Sequence, residues 1–472
     1  MNQNVSRGKK LAFAVAFAAA NASVYAGSYD SYVDWQWKPV AVADTNAGSN
    51  VRYQLDFTVP VHGPWLTLPQ PDSMTVTWIT RIPCAGGIDY REKGTEAWTR
   101  RWPVRYGQID YTSDIQSFNL TGLKPGTEYE YRLVSNLDHT RTAYHSVVCE
   151  GREIYSFRTV DPQRANYKVW MTADHHGSAR LCLDPMVDRT DSADCDFYFW
   201  LGDNVEDGMY LDSRYWLTFG FLDDVTRKWG KRKPTVFLRG NHELNGRDAI
   251  RWGDYFPQPD GKTYQAFRQG PVLWIGLDTM DVSKTRVQTE QHRAYLVEQR
   301  EWMRGLKQTE LWKGAKFRVV MGHFAPFPGE GTDFVGGVFT EFLQDESSEG
   351  RIHVFLSGHH HQYWRFNPNS KEARIIPTAE QLAKKNWKYP AAYLGRKPMP
   401  DRFPFVNCFL DSNDVVTCEV SPEKLLFKAH SYETNCGALH DAFEVRSDGT
   451  VKDAADGVRA YPIPVSAPKS KK

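Results

Sequence analysis

The sequence of 472 residues lacks an excess of either charge, because 58 lysine and arginine residues offset 57 aspartate and glutamate residues and leave a formal net charge of +1. Domains that hold nucleic acid through bulk charge usually carry a clear basic excess. The sequence also lacks a Cys-x-x-Cys pair among its seven cysteines. We therefore expect no nucleic-acid binding by bulk charge, and neither a thiolate metal site nor a dithiol redox site.

Long apolar runs are missing beyond the first 26 residues, so we expect no stable membrane anchor. Those first residues have the layout of a signal peptide: basic residues precede an Ala-rich run over residues 11–20, and Val24-Tyr25-Ala26 offers the small residues of a cleavage site. An uncleaved anchor is the alternative, but the run is shorter than the ~20 residues that a span needs. The sequence thus predicts an exported protein, either periplasmic or extracellular.

Export permits disulfides, although their connectivity cannot be read from a sequence. Cysteines that are near one another in sequence suggest three local pairs, and the odd count leaves one thiol over. The suggested pairs are Cys84–Cys149, Cys182–Cys195 and Cys408–Cys418.

Residues 51–162 show the apolar–polar alternation of strands, separated by turn residues and free of helical periodicity. The clearest strand-like segments are 74–80, 104–107, 129–134 and 154–158. Strands that each bury one face predict an all-β sandwich. Residues 27–50, which have no sustained period, are expected to be a leader or linker.

After Asp161-Pro162, short apolar strands alternate with segments of helical spacing at 211–229 and 289–306. Such alternation predicts an α/β domain over residues 163–460, followed by a disordered tail over 461–472. Two late segments, 405–410 and 415–420, are expected to form a hairpin.

Five strand-like segments of this domain end at a small residue and lead into Asp, Asn or His. The residues that follow them are Asp174, His175 and His176; Asp203; Asn241 and His242; His323; and His359, His360 and His361. In sheets covered on both faces, ligands gather beyond the carboxyl ends of the strands. Carboxylate, amide and imidazole donors suit hard or borderline divalent metals, and pairs of such ions are typical of phosphatases and nucleases.

The ordered motifs Asp174-x-His176, Gly202-Asp203, Gly240-Asn-His-Glu243, His323 and Gly358-His-x-His361 resemble those of calcineurin-like metallophosphoesterases. The stretch Leu120-Thr-Gly-Leu-Lys-Pro-Gly-Thr-Glu-Tyr-Glu-Tyr131 resembles a fibronectin type III domain, and more narrowly the amino-terminal domain of purple acid phosphatases. The resemblance implies an α/β fold, a two-sheet αββα metallophosphoesterase sandwich, preceded by a fibronectin type III-like β-sandwich over 51–162.

The resemblance also implies roles. Asp174, His176, Asp203 and His361 would hold one divalent metal ion, and Asn241, His323 and His359 would complete a second, with Asp203 bridging the two. His242 would face the substrate phosphate and protonate the leaving group, while a hydroxide between the metals attacks phosphorus in line. His175, His360, Glu206 and Arg365 would lie behind the ligands or against the substrate; for His175 and His360 an exposed position is equally open.

Glu206 departs from the purple acid phosphatases, which carry Tyr three residues after the bridging Asp and owe their ferric colour to it. We therefore expect a site that is not purple and that holds two divalent ions of manganese, iron or zinc.

The leading hypothesis is a secreted phosphomonoesterase that acts on a small phosphate ester. A phosphodiesterase or nucleotidase with the same metal core stays open, because selectivity would belong to loops such as 205–215 and 324–337. A binding module with a vestigial site is a third hypothesis, which the presence of all seven ligand positions opposes.

Overall fold

The structure is a computed structural model, and it describes part of the chain. The described residues are 37–42, 60–138, 146–151, 153–177, 195–205, 221–258, 261–279, 286–327, 332–370, 372–375, 400, 402–411, 414–431, 437–454 and 460–462. The predicted signal peptide over 1–26, residue Glu206 and most of the predicted leader and tail lie outside them. Within the described ranges, no helix combines the length and the apolar character that a membrane span requires.

The chain divides into two compact units. The first comprises residues 1–64, 78–118 and 129–156, and the second comprises 65–77, 119–128 and 157–472.

In the amino-terminal part, the described residues form strands, turns and loops. Its strands are β1 (Trp37–Val42), β2 (Pro60–Thr67), β3 (Ser73–Thr80), β4 (Ala85–Glu92), β5 (Thr99–Arg101), β6 (Val104–Arg105), β7 (Gln108–Ile109), β8 (Ile115–Thr121), β9 (Glu128–Asp138), β10 (Ser146–Gly151) and β11 (Tyr155–Arg158). They form a six-stranded sheet in the order β1-β10-β9-β4-β5 with β11 beside β9, a three-stranded sheet β2-β3-β8 and the pair β6-β7. The predicted β-sandwich is confirmed. Strand β1 departs from the leader expected over 27–50, since it pairs with β10.

The second part contains two large sheets. Its strands are β12 (Tyr167–Thr172), β13 (Phe197–Trp200), β14 (Thr235–Phe237), β15 (Gln265–Gln269), β16 (Val272–Gly276), β17 (Phe317–Met321), β18 (Val354–Ser357), β19 (Trp364–Phe366), β20 (Glu372–Ile375), β21 (Val406–Phe409), β22 (Asp414–Val420), β23 (Lys424–Ser431), β24 (Ala438–Arg446), β25 (Val451–Asp453) and β26 (Ala460–Pro462). One sheet has the order β14-β13-β12-β22-β23-β24-β25, and the other β15-β16-β17-β18-β21-β19-β20-β26. Strand β26 includes Tyr461 and Pro462, the first two residues of the tail expected over 461–472.

Helices and helical turns connect these strands. They are α1 (Asp223–Val225) with the π-helical turn Thr226–Gly230, the 3-10 turns His242–Leu244 and Arg247–Arg251, α2 (Trp252–Tyr255), α3 (Arg286–Leu306), α4 (Glu310–Lys313), the π-helical turn Thr332–Gly336 and α5 (Thr340–Leu343). The helix predicted over 289–306 is confirmed as part of α3. Of the helix predicted over 211–229, the described part begins at residue 221 and is helical.

Strand direction brings the ligand-type residues to the edges of the two sheets. In the first sheet, β12, β13 and β14 run parallel to one another. In the second, β16, β17, β18 and β21 are likewise parallel. Parallel strands end at the same edge, and the loops beyond that edge are where such sheets bind ligands.

The main core lies between the two sheets. Val169 and Phe199 from one sheet and Trp274, Val319 and Leu356 from the other belong to one buried cluster. Burying a large apolar side chain stabilises a fold by roughly 1.5–3 kcal/mol. This cluster therefore holds the two sheets, and the strand ends that carry the site, in a fixed relation.

Helices cover the outer faces. Leu296 and Met303 of α3 pack in a second buried cluster with Ile275 and Phe355 of the larger sheet. On the other side, Trp229 stacks on Tyr198 at 4.0 Å between ring centroids. The layer order is helix, sheet, sheet, helix, which confirms the predicted αββα sandwich. Burial on both faces explains why these strands read as continuous apolar runs.

Two expectations are wrong for one reason. The hairpin predicted over 405–410 and 415–420 does not form, because β21 joins the larger sheet and β22 the other. The chain crosses between the layers there. Cys408 on β21 and Cys418 on β22 are accordingly separate, buried free thiols. Cys84 and Cys195 are also buried free thiols. This contradicts each of the three suggested disulfides, since every pair contains one of these residues.

Candidate metal centre

The loops that follow the strands hold their polar residues in an unusual backbone conformation. Non-glycine residues rarely have a positive φ, and each such residue costs of order 1–3 kcal/mol. Five of the predicted ligands have one: Asp174 (60°), His176 (50°), Asp203 (50°), His359 (76°) and His361 (50°). Strain that accumulates at one edge of the sheets indicates that the loops are shaped for a function and are held by the surrounding core.

Glycines let these loops approach one another. A Cβ atom on Gly202 would lie 2.6 Å from Nδ1 of His323, and one on Gly240 would lie 2.0 Å from Oδ1 of Asp203. Gly202 itself has a φ of 96°. Any side chain at these two positions would displace a predicted ligand, which explains why the strand endings contain glycine.

Four of the predicted ligands form a first group. Asp174, His176, Asp203 and His361 each offer a ligand atom, and these atoms lie within 4.8 Å of one another. The two imidazoles meet at 3.1 Å between their Nε2 atoms. Nε2 of His361 lies 3.8 Å from Oδ1 of Asp174, and Nε2 of His176 lies 4.0 Å from Oδ2 of Asp203. The four donors surround a volume suited to one ion.

A second group shares Asp203 with the first. Asp203, His323 and His359 offer ligand atoms within 4.8 Å of one another. Nε2 of His323 lies 3.1 Å from Oδ2 of Asp203. Oδ1 of Asn241 lies 3.0 Å from Nδ1 of His359, so the amide belongs to the same group. The structure thus brings all seven predicted ligands together, and Asp203 lies where the two groups meet.

The hydrogen bonds of His323 show which atom is left for a cation. Its Nδ1–H donates to the carbonyl oxygen of Leu201 at 2.8 Å, which leaves the lone pair of Nε2 facing Asp203. Among the described residues, Nε2 of His323 and Oδ2 of Asp203 are both buried and neither has a hydrogen-bond partner. Two acceptor atoms 3.1 Å apart need a cation between them. The donors present therefore fit a bound metal.

The two buried carboxylates compete for positive charge. Burial, and then the charge of Asp203, raise the pKa of Asp174 well above its ordinary value, despite the opposing effect of His323. For Asp203, burial alone would raise the pKa, but His323 and His242 lower it below the ordinary value. Burial would lower the pKa of His323, yet Asp203 and Asp174 raise it to about 9. Without a metal, the cluster formed by these two carboxylates and His323 therefore favours binding a proton.

The surroundings of His359 and His361 favour the neutral imidazole. Burial, and then the positive charge of His323, lower the pKa of His359 to about 2. Burial, and then His176, lower the pKa of His361 to about 4. Histidine binds metals through its neutral form, so these environments favour coordination over protonation.

Glu243 is a residue to which the sequence analysis gave no role, although it belongs to the Gly240-Asn-His-Glu motif. It is completely buried. Its Oε2 accepts the backbone N–H groups of Asp203 at 3.0 Å and Gly240 at 2.5 Å, and its Oε1 accepts those of Asn204 at 2.6 Å and Val205 at 3.3 Å. One carboxylate therefore ties the loop after β13 to the loop after β14. Burial, and then the charge of Asp203, raise its pKa to about 7.

His242 lies beside the two groups. Its backbone N–H donates to Oδ1 of Asp203 at 2.9 Å, and its Nε2 lies 3.9 Å from Oδ2 of the same residue. Its ring meets that of His176 edge-on at 4.4 Å. The side chain is 22% exposed, so it is accessible from the solvent side of the site.

The other predicted residues have different surroundings. His175 is fully buried, with Nε2 at 3.1 Å from Oγ1 of Thr172, which excludes the exposed alternative. His360 is half-buried and stacks on the ring of Trp364 at 5.0 Å. Arg365 is fully buried and its Nε donates to Asp441 at 2.6 Å, so its guanidinium links β19 of the larger sheet to β24 of the other.

Comparison with known families agrees with this geometry. Residues 167–363 match the family described as Calcineurin-like phosphoesterase. The chain carries a calcineurin-like phosphoesterase domain. It is therefore a metal-dependent hydrolase of phosphate esters. Residues 61–159 match the family described as Purple acid Phosphatase, N-terminal domain. The phosphoesterase family depends on two metal ions, and the two groups that share Asp203 are able to bind metal.

A solved structure entitled "Structure of PhoD" is similar to this chain over 84% of its length and 92% of that chain, with 12% identity and a TM-score of 0.53. At that identity the likeness concerns the fold alone. A second, "Myokine structure", covers 22% of this chain and 96% of that one at 16% identity, with a TM-score of 0.17. Among curated proteins, none matches the chain.

Proposed function

We propose that this protein is an exported phosphomonoesterase that works with two divalent ions of manganese, iron or zinc. The observation that carries the proposal is the position of Asp203, whose carboxylate belongs to both groups of donors. The first ion would be held by Asp174, His176, Asp203 and His361, and the second by Asp203, Asn241, His323 and His359. Export rests on the signal-peptide pattern of residues 1–26.

The charge of the site supports a monoester as substrate. Two divalent ions bring four positive charges, and Asp174 and Asp203 offset two of them. A phosphate monoester carries close to two negative charges near neutral pH, since its second pKa is about 6. A diester carries one. A hydroxide between the ions would offset a third positive charge, and the charge that remains attracts a doubly charged monoester more strongly than a singly charged diester.

Bound metal ions of this kind supply a water nucleophile near neutral pH and polarise the phosphoryl oxygens. The chain's own residues orient that chemistry. Glu243 and the glycine turns fix the ligand loops. The negative charges of the buried carboxylates attract the metal ions to the edge of the two sheets. His242, partly exposed and hydrogen-bonded through its backbone to Asp203, would give a proton to the leaving oxygen. Such a transfer typically contributes about 10²–10⁴-fold.

The proposal is tested by the metal content of the purified protein, followed by phosphate release from a mono-aryl and a bis-aryl phosphate. We expect two metal ions per chain and faster turnover of the mono-aryl ester. Faster turnover of the bis-aryl ester would instead assign the site to a phosphodiesterase. A protein that neither holds metal nor hydrolyses either ester after metal is added would contradict the proposal.

A further inference from the structure

One further strand of the larger sheet ends in polar residues that the sequence analysis passed over. Strand β16 (Val272–Gly276) is a fully buried apolar run that stops at a glycine, and Leu277, Asp278 and Thr279 follow it. The strand is parallel to β17, with Gly276 opposite Met321. Asp278 and Thr279 therefore come out at the same edge as His323. They are 5% and 1% exposed.

Helix α3 fixes the backbone at this point. The backbone N–H of Asp278 donates to Oε1 of Gln299 at 2.8 Å, and Nε2 of Gln299 donates to the carbonyl oxygen of Asp278 at 2.8 Å. Gln299 is completely buried. A side-chain amide that satisfies both backbone groups of one residue leaves that residue little freedom, so Asp278 is a rigid support.

Asp278 holds the loop that carries Asn241. Nε of Arg239 donates to Oδ2 of Asp278 at 2.9 Å, and both side chains are largely buried. Arg239 lies two residues before Asn241 and two residues after the end of β14 in the other sheet. The ion pair therefore spans the two sheets at the edge where the ligands gather.

Thr279 holds the loop that carries His323. The backbone N–H of Phe324 donates to Oγ1 of Thr279 at 2.9 Å. A Cβ atom on Gly322 would lie 2.5 Å from Cγ2 of Thr279, so the loop passes against the threonine without a gap. The residues on both sides of His323 are thus fixed by Thr279.

The same loop reaches the third ligand of this group. The ring of Phe324 stacks on the ring of His359, with centroids 4.0 Å apart and planes 26° from parallel. The position of Phe324 therefore sets the position of the His359 imidazole, whose Nδ1 lies 3.0 Å from Oδ1 of Asn241.

We propose that Asp278 and Thr279 are positioning residues for the second metal ion, acting through Arg239 and Phe324. The loops that carry Asn241 and His323 contact this dipeptide, and the ring of His359 is held through Phe324. Apart from Asp203, these three residues are the proposed ligands of the second ion alone. Asp278 is not itself a ligand, since its carboxylate is engaged by Arg239 and Thr263. Support behind metal ligands typically contributes about 10–100-fold to metal affinity. The dipeptide thus sets the affinity of one ion and leaves that of the other unchanged.

The test measures the two dissociation constants for Zn²⁺ separately, by chelator competition on the full chain, with bound metal counted by elemental analysis. Thr279→Val removes the hydroxyl that accepts from Phe324 at nearly constant volume. We expect it to raise the dissociation constant of the second ion by about 10–100-fold and to leave that of the first ion unchanged. Thr279→Ser, which restores the hydroxyl, should recover both constants.

The matched control is Thr235→Val. Thr235 is also fully buried, but it opens strand β14, and among the described residues its hydroxyl has no hydrogen-bond partner. Both zinc constants should match those of the unmodified chain. If Thr279→Val does not fold, Asp278→Asn and Arg239→Gln break the ion pair from either side and should give the same selective loss.

The inference rests on the proposed ligand set, and different experimental results would contradict the inference and the ligand set. Two ions in the unmodified chain, with constants that stay fixed or fall together in the Thr279, Asp278 and Arg239 variants, would overturn the inference alone. An unmodified chain that binds no pair of ions would overturn both.

Discussion

His242 is the residue at which metal binding and turnover can be tested separately. It contacts Asp203 through its backbone, while its imidazole is directed to the partly exposed side of the site. Replacing the side chain leaves the backbone hydrogen bond in place. The metal ligands should therefore stay where they are when the imidazole is removed.

We predict that His242→Ala keeps its full metal content and loses about 10²–10⁴-fold in kcat, as is typical when a proton donor is removed. His292→Ala, on helix α3, is the matched control and should keep its turnover. The readouts are elemental analysis and steady-state rates on an aryl phosphate. An unchanged kcat would remove His242 from the reaction, and a loss of metal would make it a ligand.

Glu243 is the residue whose buried carboxylate holds two ligand loops. Glu243→Gln would turn one oxygen into an NH₂ donor that faces backbone N–H groups of the chain. An unsatisfied buried donor costs about 1–3 kcal/mol, so we predict a loss of that size in the free energy of unfolding of the metal-free protein. Urea unfolding measures it.

The control for Glu243→Gln is Glu310→Gln, because the Glu310 side chain is 92% exposed. Its free energy of unfolding should equal that of the unmodified protein. Equal stability of both variants would show that the four backbone hydrogen bonds of Glu243 do not hold the loops.

At the scale of the elements, His353 links the two sheets. It directly precedes β18. Its Nδ1 accepts the backbone N–H of Arg318 on β17 at 3.1 Å, and its Nε2–H donates to the carbonyl oxygen of Ser447 after β24 at 3.0 Å. Burial, opposed by the hydrogen bond to Ser447 and helped by the charges of Arg318 and Arg351, lowers its pKa from 6.5 to about 4.

The depressed pKa of His353 predicts how stability depends on pH. The unfolded chain binds a proton as the pH falls through 6.5, but the folded chain does so only near 4. The contribution is therefore complete above pH 6.5 and is lost as the pH falls towards 4, by about 3 kcal/mol in total. His353→Asn should flatten the unfolding free energy over this range. Parallel pH profiles for both proteins would contradict the prediction.

The strands that carry the site could be predicted from sequence because each one is a short apolar run that ends at a small residue before Asp, Asn or His. Their convergence followed from the rule that parallel strands share an edge. Residues that hold the ligand loops without binding the metal themselves were harder to predict. Glu243 was inside a recognised motif, and Asp278 follows the same strand-and-glycine pattern, but nothing in the pattern says that their partners are backbone amides or an arginine.

Sheet membership could not be predicted from nearness in sequence. Strands β21 and β22 are separated by only a few residues, and a hairpin is the usual outcome for such neighbours. Here they belong to different sheets, so the chain passes from one layer to the other between them. The local pairing of Cys408 with Cys418 failed with the hairpin. Sequence patterns identify a strand, but the packing of the whole domain decides its neighbours.

At the scale of the whole molecule, metal binding and folding are linked. The seven ligands come from five separate strand endings in two sheets, so the site exists only when both sheets are assembled. Any ion that binds the folded chain alone stabilises it, by about 2.7 kcal/mol at a hundred times its dissociation constant. Because the ligands come together only in the folded chain, the metal content measures whether the site is assembled.

The most direct test of the central claim, that one carboxylate serves two metal ions, is the metal content of Asp203→Asn beside that of the unmodified chain. Asp254→Asn, at a half-exposed side chain, is the control. We expect two ions per chain in the unmodified protein and in the control, and the loss of both ions together with activity in Asp203→Asn. An Asp203→Asn protein that keeps two ions and full activity on an aryl phosphate would contradict it.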